Sequence, residues 1–527
     1  MPGHLKALVV ILVLALVAFA FAKVPACATV STKEDFDRRR RLWFAITLVA
    51  FLAGNYWLHI IAIAFLLFFA QRREPNKLAM FYFLLLAIPP IDRDIPGMGI
   101  LGAFFVVHYH RLLFLVVLLP MYLYLRRQPD TERFGRLFSD KLFAAYFILN
   151  FVLTWPTASL TESLRIAVFY PFIDNFLPYY VASRSLKNLQ QFREVLMAFV
   201  VAAMVLSLTG VFEYARSWLL YAELDDALGV RWEYGGYFRR GGDLRALGSI
   251  GQPIPFGYTI AVAMGFFVFL RKSVPNTQVW YVGMILLTGG IISSLSRGPW
   301  VGAAIMLLAF VAIGPFAVRR MAKLSLLGGI IVTALLLSPV GESIIDRLPF
   351  VGKIDAQNIT YRQQLLEVSI HLIQKNPWFG DRYFLSAPEM VDLTQGQGII
   401  DLVNSYAGIG LSTGLVGLGL FLGFFGSVLL RIFKSMRSLP DRNSEAYLLG
   451  QTLFAVLVGI LAILATVSSL NVVPIIYWSV AGLGVAYARI TALENTPATA
   501  PEAARPFGAP TPSRHLIHAS RRGPGAP

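Results

Sequence analysis

Apolar runs of about 15–25 residues recur from one end of this chain to the other, each long enough to cross or nearly cross a bilayer core as a helix. Runs of this kind leave few folds open. In lipid every backbone N–H and C=O must be satisfied within the protein, so a chain crosses as helices or as a closed barrel. Barrel strands alternate apolar and polar residues over about ten positions, and these runs do not alternate. Charged residues make up 14% of the 527 positions, against about 25% in soluble proteins. The expected fold class is therefore all-α, a polytopic integral membrane protein. Passes fall near residues 5–25, 42–53, 56–70, 78–91, 111–125, 141–155, 164–183, 192–213, 254–270, 279–295, 299–314, 325–340, 403–430, 447–468 and 474–489; with 42–70 read either as two short helices or as one long tilted one, they make about fourteen crossings.

Lys and Arg stay on the cytoplasmic side of a membrane protein. One alternating set of loops holds Arg72/Arg73/Lys77, Arg126/Arg127/Arg133/Arg136, Arg184/Lys187/Arg193, Arg271/Lys272, Arg319/Arg320/Lys323 and Arg431/Lys434/Arg437/Arg442. The formal charge of +16 is thus mostly a topology signal, strengthened by attraction to anionic lipid, and nucleic acid is not an expected partner. Arg38–Arg41 join this side only if Gly54-Asn55 is the tip of a two-helix hairpin. The single Cys27 excludes an internal disulfide and a cysteine metal cluster.

The layout that follows is an N-terminal anchor and basic loop (1–41), membrane helices (42–213), an extracytoplasmic loop (214–253), central membrane helices (254–340), a large extracytoplasmic loop (341–402), C-terminal membrane helices (403–489) and a disordered cytoplasmic tail (490–527). The first apolar run has the look of a signal peptide, but no soluble domain follows it, so an anchor is expected. Two outer loops are long and rich in Trp, Tyr, Gly and charge, which favours function over a passive linker.

Three outer segments carry arginines. In "RRGGDLRALGSIGQPIPFGY", residues 239–258, Arg245 precedes a glycine-rich turn and a helix start, a setting that favours an anion such as phosphate. The same residues also suit a turn whose arginines reach lipid headgroups. In "SSLSRGPWVG", residues 293–302, Arg297 sits in a tight turn and needs a partner or water there, with Trp300 as an interfacial anchor. In "ITYRQQLLEVSIHLIQKNPWFGDRYF", residues 359–384, the apolar spacing gives an amphipathic helix ended by Asn376-Pro377, lying on the outer surface. Arg362 near its start can reach a ligand; His371 is either a surface histidine or part of a site lining. A fourth segment, "GIIDLVNSYAGIGLSTGLVGLGLF", residues 398–421, sets Asp401, Asn404 and Tyr406 ahead of Gly410, Gly414 and Gly417. Those glycines read as one close-packing helix face.

These four segments, in this order, resemble the O-antigen ligase and O-antigen polymerase superfamily of bacterial envelope glycosyltransferases, over roughly residues 240–430. The ligases carry His-Asn, nine residues, then Gly-x-x-Gly. Here Asn404 is followed by nine residues and then Gly414-Leu415-Val416-Gly417, but the position before Asn404 is Val403. That replaces the family's proposed general base and shifts expectation toward the polymerase side.

The resemblance implies a donor glycan on undecaprenyl diphosphate, an acceptor glycan or lipid, and an active face outside the inner (cytoplasmic) membrane of a bacterium. By match to the family's essential arginines, Arg245 and Arg362 are expected on the diphosphate, with Arg297 third. Asp401 is the first substitute for the missing base, followed by Asp92 and Asp94 in the first outer loop, near His108 and His110. Asn404, Tyr406 and His371 are expected to line the site. No metal and no cofactor are expected; a chain-length regulator and a flippase are the expected protein partners. Ligation is the alternative within the family. A lipid-linked oligosaccharide transporter or a non-catalytic assembly subunit is the alternative from another class.

Overall fold

The structure, a computed structural model, describes residues 1–97, 103–155, 159–232, 236–336, 356–394 and 400–495. The parts of the sequence-derived layout at 341–355 and 496–527 lie outside the described residues. The chain is an all-α integral membrane protein, and its described residues include two small antiparallel strand pairs, Arg93–Pro96 with Ala103–Val107 and Arg239–Arg240 with Asp243–Leu244. Among the described residues, seven helices are long and apolar enough to cross a bilayer: Gly3–Thr29, Tyr109–Arg127, Leu189–Arg216, Pro253–Ser273, Ser405–Arg437, Glu445–Leu464 and Val472–Ala492. Three shorter apolar helices, Tyr56–Arg72, Thr277–Ser293 and Arg297–Ile313, accompany them. The last helix runs on to Asn495, past the expected tail boundary.

Polar residues start many of these helices. Side chains of Thr32, Asn55, Asn76, Asn188, Asn276 and Ser444 accept from backbone N–H groups in the first turn, satisfying donors that the helix itself leaves open. The helix Lys33–Leu52 is followed by Tyr56–Arg72 as a hairpin, because Arg38 and Arg39 at the start of the first meet Glu74 just past the end of the second (2.9 and 2.5 Å). Arg39 also holds Glu194 at 2.5 Å, and the neighbouring Arg193 pairs with Glu445. The arginine run therefore gathers at one end of the bundle with the starts of Leu189–Arg216 and Glu445–Leu464.

The expected pass at 78–91 is not a full helix. Lys77–Leu84 is helical, and the chain then unwinds toward Pro89-Pro90 while staying buried through Ile91. Proline cannot continue a helix, and bare carbonyls at this depth are tolerated only where protein satisfies them. Side chains do so one after another. Tyr109 Oη donates to the Leu84 carbonyl (2.8 Å), His110 Nε2 meets that of Leu85 (3.2 Å), Ser249 Oγ donates to Leu86 (2.7 Å), Tyr221 Oη to Ala87 (3.3 Å) and Tyr56 Oη to Ile91 (3.1 Å).

Candidate active site

The arginine-bearing segments meet at the end of the bundle opposite Arg39. Arg245 leaves the small hairpin at Arg239–Leu244 and reaches the turn between helices Thr277–Ser293 and Arg297–Ile313. Its Nη2 donates to Ser296 Oγ at 2.8 Å and its Nε to the Ser294 carbonyl at 3.2 Å. Arg240 donates to the Leu295 carbonyl of the same turn, where Leu295 takes a positive φ of 46°. Backbone joins the two segments as well, with Ala246 N–H donating to the Ser293 carbonyl at 3.0 Å. Ser296 Oγ donates onward to the Pro253 carbonyl at 3.0 Å. A serine–serine turn therefore orients Arg245, and Arg297 opens the helix that follows.

Arg362 arrives from the amphipathic helix Ala356–Lys375. Its neighbour Tyr361 brackets Asp401: the Asp401 N–H donates to Tyr361 Oη at 3.1 Å, and Tyr361 Oη donates to the Asp401 carbonyl at 3.4 Å. Crowding by surrounding protein raises the Asp401 carboxyl above the usual carboxylate range, while Arg362 and Arg245 both pull it down. One carboxylate, still open to solvent on one side, thus lies in the field of two arginines from separate segments. His371 is not brought here. Nine residues beyond Arg362, it is half a turn away around a 3.6-residue helix, exposed, and it acts instead on Glu389, which pairs with Lys375 at 2.5 Å.

Val403 is 8% exposed and packs with Leu365, Met390 and Leu411 beneath the amphipathic helix. Its position offers packing and no proton acceptor. Asn404 caps the next helix, its Oδ1 accepting from Tyr406 and Ala407 N–H at 3.0 and 3.2 Å. Tyr406 Oη donates to the Leu461 carbonyl at 2.6 Å. Both of these site-lining candidates anchor the helix start.

The helix from Ser405 breaks at Gly414 (φ 65°, ψ −168°). Gly414 was expected to share a smooth packing face with Gly410 and Gly417; instead it ends a nine-residue half-helix. The turn after Pro377 fits into the break. Leu415 N–H donates to the Pro377 carbonyl (2.7 Å) and Val416 N–H to Trp378 (3.2 Å), while Asp381 N–H donates to the freed Leu411 carbonyl (2.7 Å). The Asn-x9-Gly spacing is therefore the distance from a helix cap to a helix break, and the third and fourth segments are locked together there.

The loop after helix Glu445–Leu464, which sequence reasoning passed over, ties the ends together. Ser405 Oγ donates to the Val467 carbonyl (2.6 Å), Ser468 Oγ to Leu402 (2.9 Å), and Ser469 Oγ to Ser405 Oγ (2.9 Å). A Cβ on Gly298 would lie 2.0 Å from Thr466 Oγ1, so this loop also abuts the Arg297 turn. Its signal was the polar cluster Thr466, Ser468, Ser469 and Asn471 between two apolar runs. Beside it opens a cavity of about 450 Å³. Asp92 lines this cavity, together with His108, His110, Arg111, Asp174 and Arg382. Asp94 is exposed on the hairpin, paired across to Val106.

Residues 282–422 match the family model described as O-antigen ligase. The match spans the Ser296 turn, the amphipathic helix, the stretch from Asp401 to Tyr406 and the Gly414 break, and it stops short of Arg245 and Asp92. No curated protein matches the chain. This membrane protein thus carries an O-antigen ligase domain over residues 282–422.

Proposed function

We propose that the protein is a glycosyltransferase of the bacterial inner membrane that takes a glycan from undecaprenyl diphosphate and joins it to a hydroxyl of a second glycan. Working on the outer face, it extends a surface polysaccharide or exopolysaccharide repeat by repeat. The observation that carries this reading is the placing of Asp401 in the field of both Arg245 and Arg362. The acceptor oxygen forms the new bond to the anomeric carbon. The bond from that carbon to the diphosphate oxygen breaks, and the lipid diphosphate leaves with the electron pair. Arg245 and Arg362, permanently charged and able to bind bidentately, neutralise that leaving group, with Arg297 close to the same turn. The acceptor proton passes to a carboxylate, Asp401 first and Asp92 second. A chain-length regulator and a flippase are partners that such an activity calls for.

The apolar packing of Val403 favours polymerisation, because the ligases place histidine at that position. The family description itself supports the second reading, ligation of a finished glycan to an acceptor lipid or protein. Deleting the gene separates the two. Polymerase loss leaves single repeat units on the cell surface, and ligase loss leaves long chains on undecaprenyl diphosphate. Full-length polymer from normally inserted Arg245→Ala and Arg362→Ala proteins would instead point to a non-catalytic assembly subunit.

A further inference from the structure

The cavity beside Ser469 is built differently from the arginine cluster. Its lining holds two arginines and two carboxylates, Arg111, Arg382, Asp92 and Asp174, so among the described residues its fixed charges cancel. Arg111 is clamped to Asp174 by three contacts of 2.8–3.2 Å and lies 3.7 Å from the Tyr170 ring centre. A diphosphate finds no net positive field here. An acyl chain would offer no partner to the polar atoms of this wall.

The cavity wall carries two further marks. Three π-helical turns, Phe114–Leu118, Arg165–Phe169 and Phe172–Phe176, each place residues on it, and such turns concentrate at functional sites. Three lining residues also have a buried nitrogen without a hydrogen-bond partner: His108 Nδ1, His110 Nδ1 and Asn471 Nδ2. Asn471 holds a positive φ of 52°, a strained conformation for a non-glycine residue that clusters at ligand sites. Aromatic rings of Tyr146 and Trp478 complete the wall.

Neutral overall charge, donors and acceptors side by side, and aromatic faces together fit a polyhydroxylated ring. A volume of about 450 Å³ lies within the range of small-molecule sites. Resting on the transferase reading above, we propose that this cavity is a sugar subsite holding one uncharged sugar of a glycan substrate next to the cationic cluster. Ser469 links the cavity to the segment that carries Asp401, lining the cavity while its hydroxyl donates to Ser405, one residue beyond the Asn404 cap. Two sources share this chemistry, the donor's terminal sugar and the acceptor's.

The test uses the purified full-length protein in nanodiscs, with Asn471→Gly and Asn175→Ala variants, Asn175 being a further uncharged polar residue of the cavity lining. Asn471→Gly removes the amide while relieving the backbone strain, so the fold is preserved. Calorimetry follows binding of the oligosaccharide repeat released from the cell's own polymer, and separately of sugar-free undecaprenyl diphosphate. Both variants are expected to weaken oligosaccharide binding at least tenfold, to raise a transfer KM similarly, and to bind undecaprenyl diphosphate as the wild type does. A KM rise for the lipid-linked substrate marks the donor's sugar, and one for the acceptor marks the acceptor's; either supports the subsite. Unchanged oligosaccharide binding and KM in both variants, or an equal loss of undecaprenyl diphosphate binding, overturns it. Oligosaccharide binding by a wild-type protein that performs no transfer would remove the transferase reading and leave the subsite standing.

Discussion

Arg245 is held at 2.8 Å to Ser296, so its guanidinium does not have to be ordered when an anion arrives. A hydrogen bond to a charged group contributes about 1.5–3 kcal/mol. Arg245→Ala and Arg362→Ala are each expected to cut transfer roughly 10–150-fold, measured as polymer made by normally inserted protein. Lysine at either position should recover only part of the rate, lacking the two-pronged geometry. Asp401 makes a pH prediction. Crowding raises its pKa, and Arg362 and Arg245 oppose that rise without cancelling it. As proton acceptor it must be ionised, so the rate falls as pH drops through a value above the ordinary aspartate pKa of about 3.9. Asp401→Asn should abolish that acid limb and lower the rate about 10²–10⁴-fold; an unaltered pH profile would assign the proton to another group. Arg245, Arg362 and Asp401 stand out in the sequence as charges in apolar surroundings, and both arginines act on the Asp401 carboxyl in the structure. His371 was misleading, since a histidine nine residues from Arg362 looks close in sequence yet faces the other side of the helix.

The broken helix shows what spacing can and cannot tell. Asn404 and Gly414 were visible as a pair, but glycines four and three residues apart also read as a packing face. Only the turn at Pro377–Asp381, which supplies the missing hydrogen bonds, distinguishes a break from a smooth helix, and it lies far away in the chain. Gly414→Ala should be severely destabilising. A left-handed φ costs an L-residue about 1–2 kcal/mol, and the added Cβ would stand 2.3 Å from the Trp378 backbone. A lowered thermal midpoint with loss of the folded outer turn is the expected result. Asn404→Ala, which removes only a cap, should cost about 1 kcal/mol. The unwound stretch after Leu84 was hidden for a related reason. Hydropathy sees its burial but not its backbone, and the five side chains that satisfy its carbonyls come from four other segments.

At the scale of the molecule, alternation of basic loops left Arg38–Arg41 conditional on a hairpin at Gly54-Asn55; the structure has helices on either side of that point, and ion pairs at Glu74 and Glu194 gather Arg38 and Arg39 near Arg193. Glu74 is 1% exposed on its side chain and serves two arginines. Removing it strands buried charge at about 3–5 kcal/mol, so Glu74→Ala should impair stable insertion while Arg245→Ala does not. The neutral cavity was not legible, because its lining comes from segments scattered between Pro90 and Trp478 and no single segment carries its signature. Chemistry that runs on arginines and a carboxylate needs no divalent cation. The purified protein should keep its activity in EDTA, and activity lost in EDTA but restored by Mg²⁺ would contradict this mechanism. The most direct test of the converging arginines is the affinity of purified wild-type, Arg245→Ala, Arg362→Ala and doubly substituted protein for undecaprenyl diphosphate. The account predicts at least a tenfold loss for each single variant and a double variant that departs from additivity, because both side chains hold one ligand. Wild-type affinity in all three variants would contradict it.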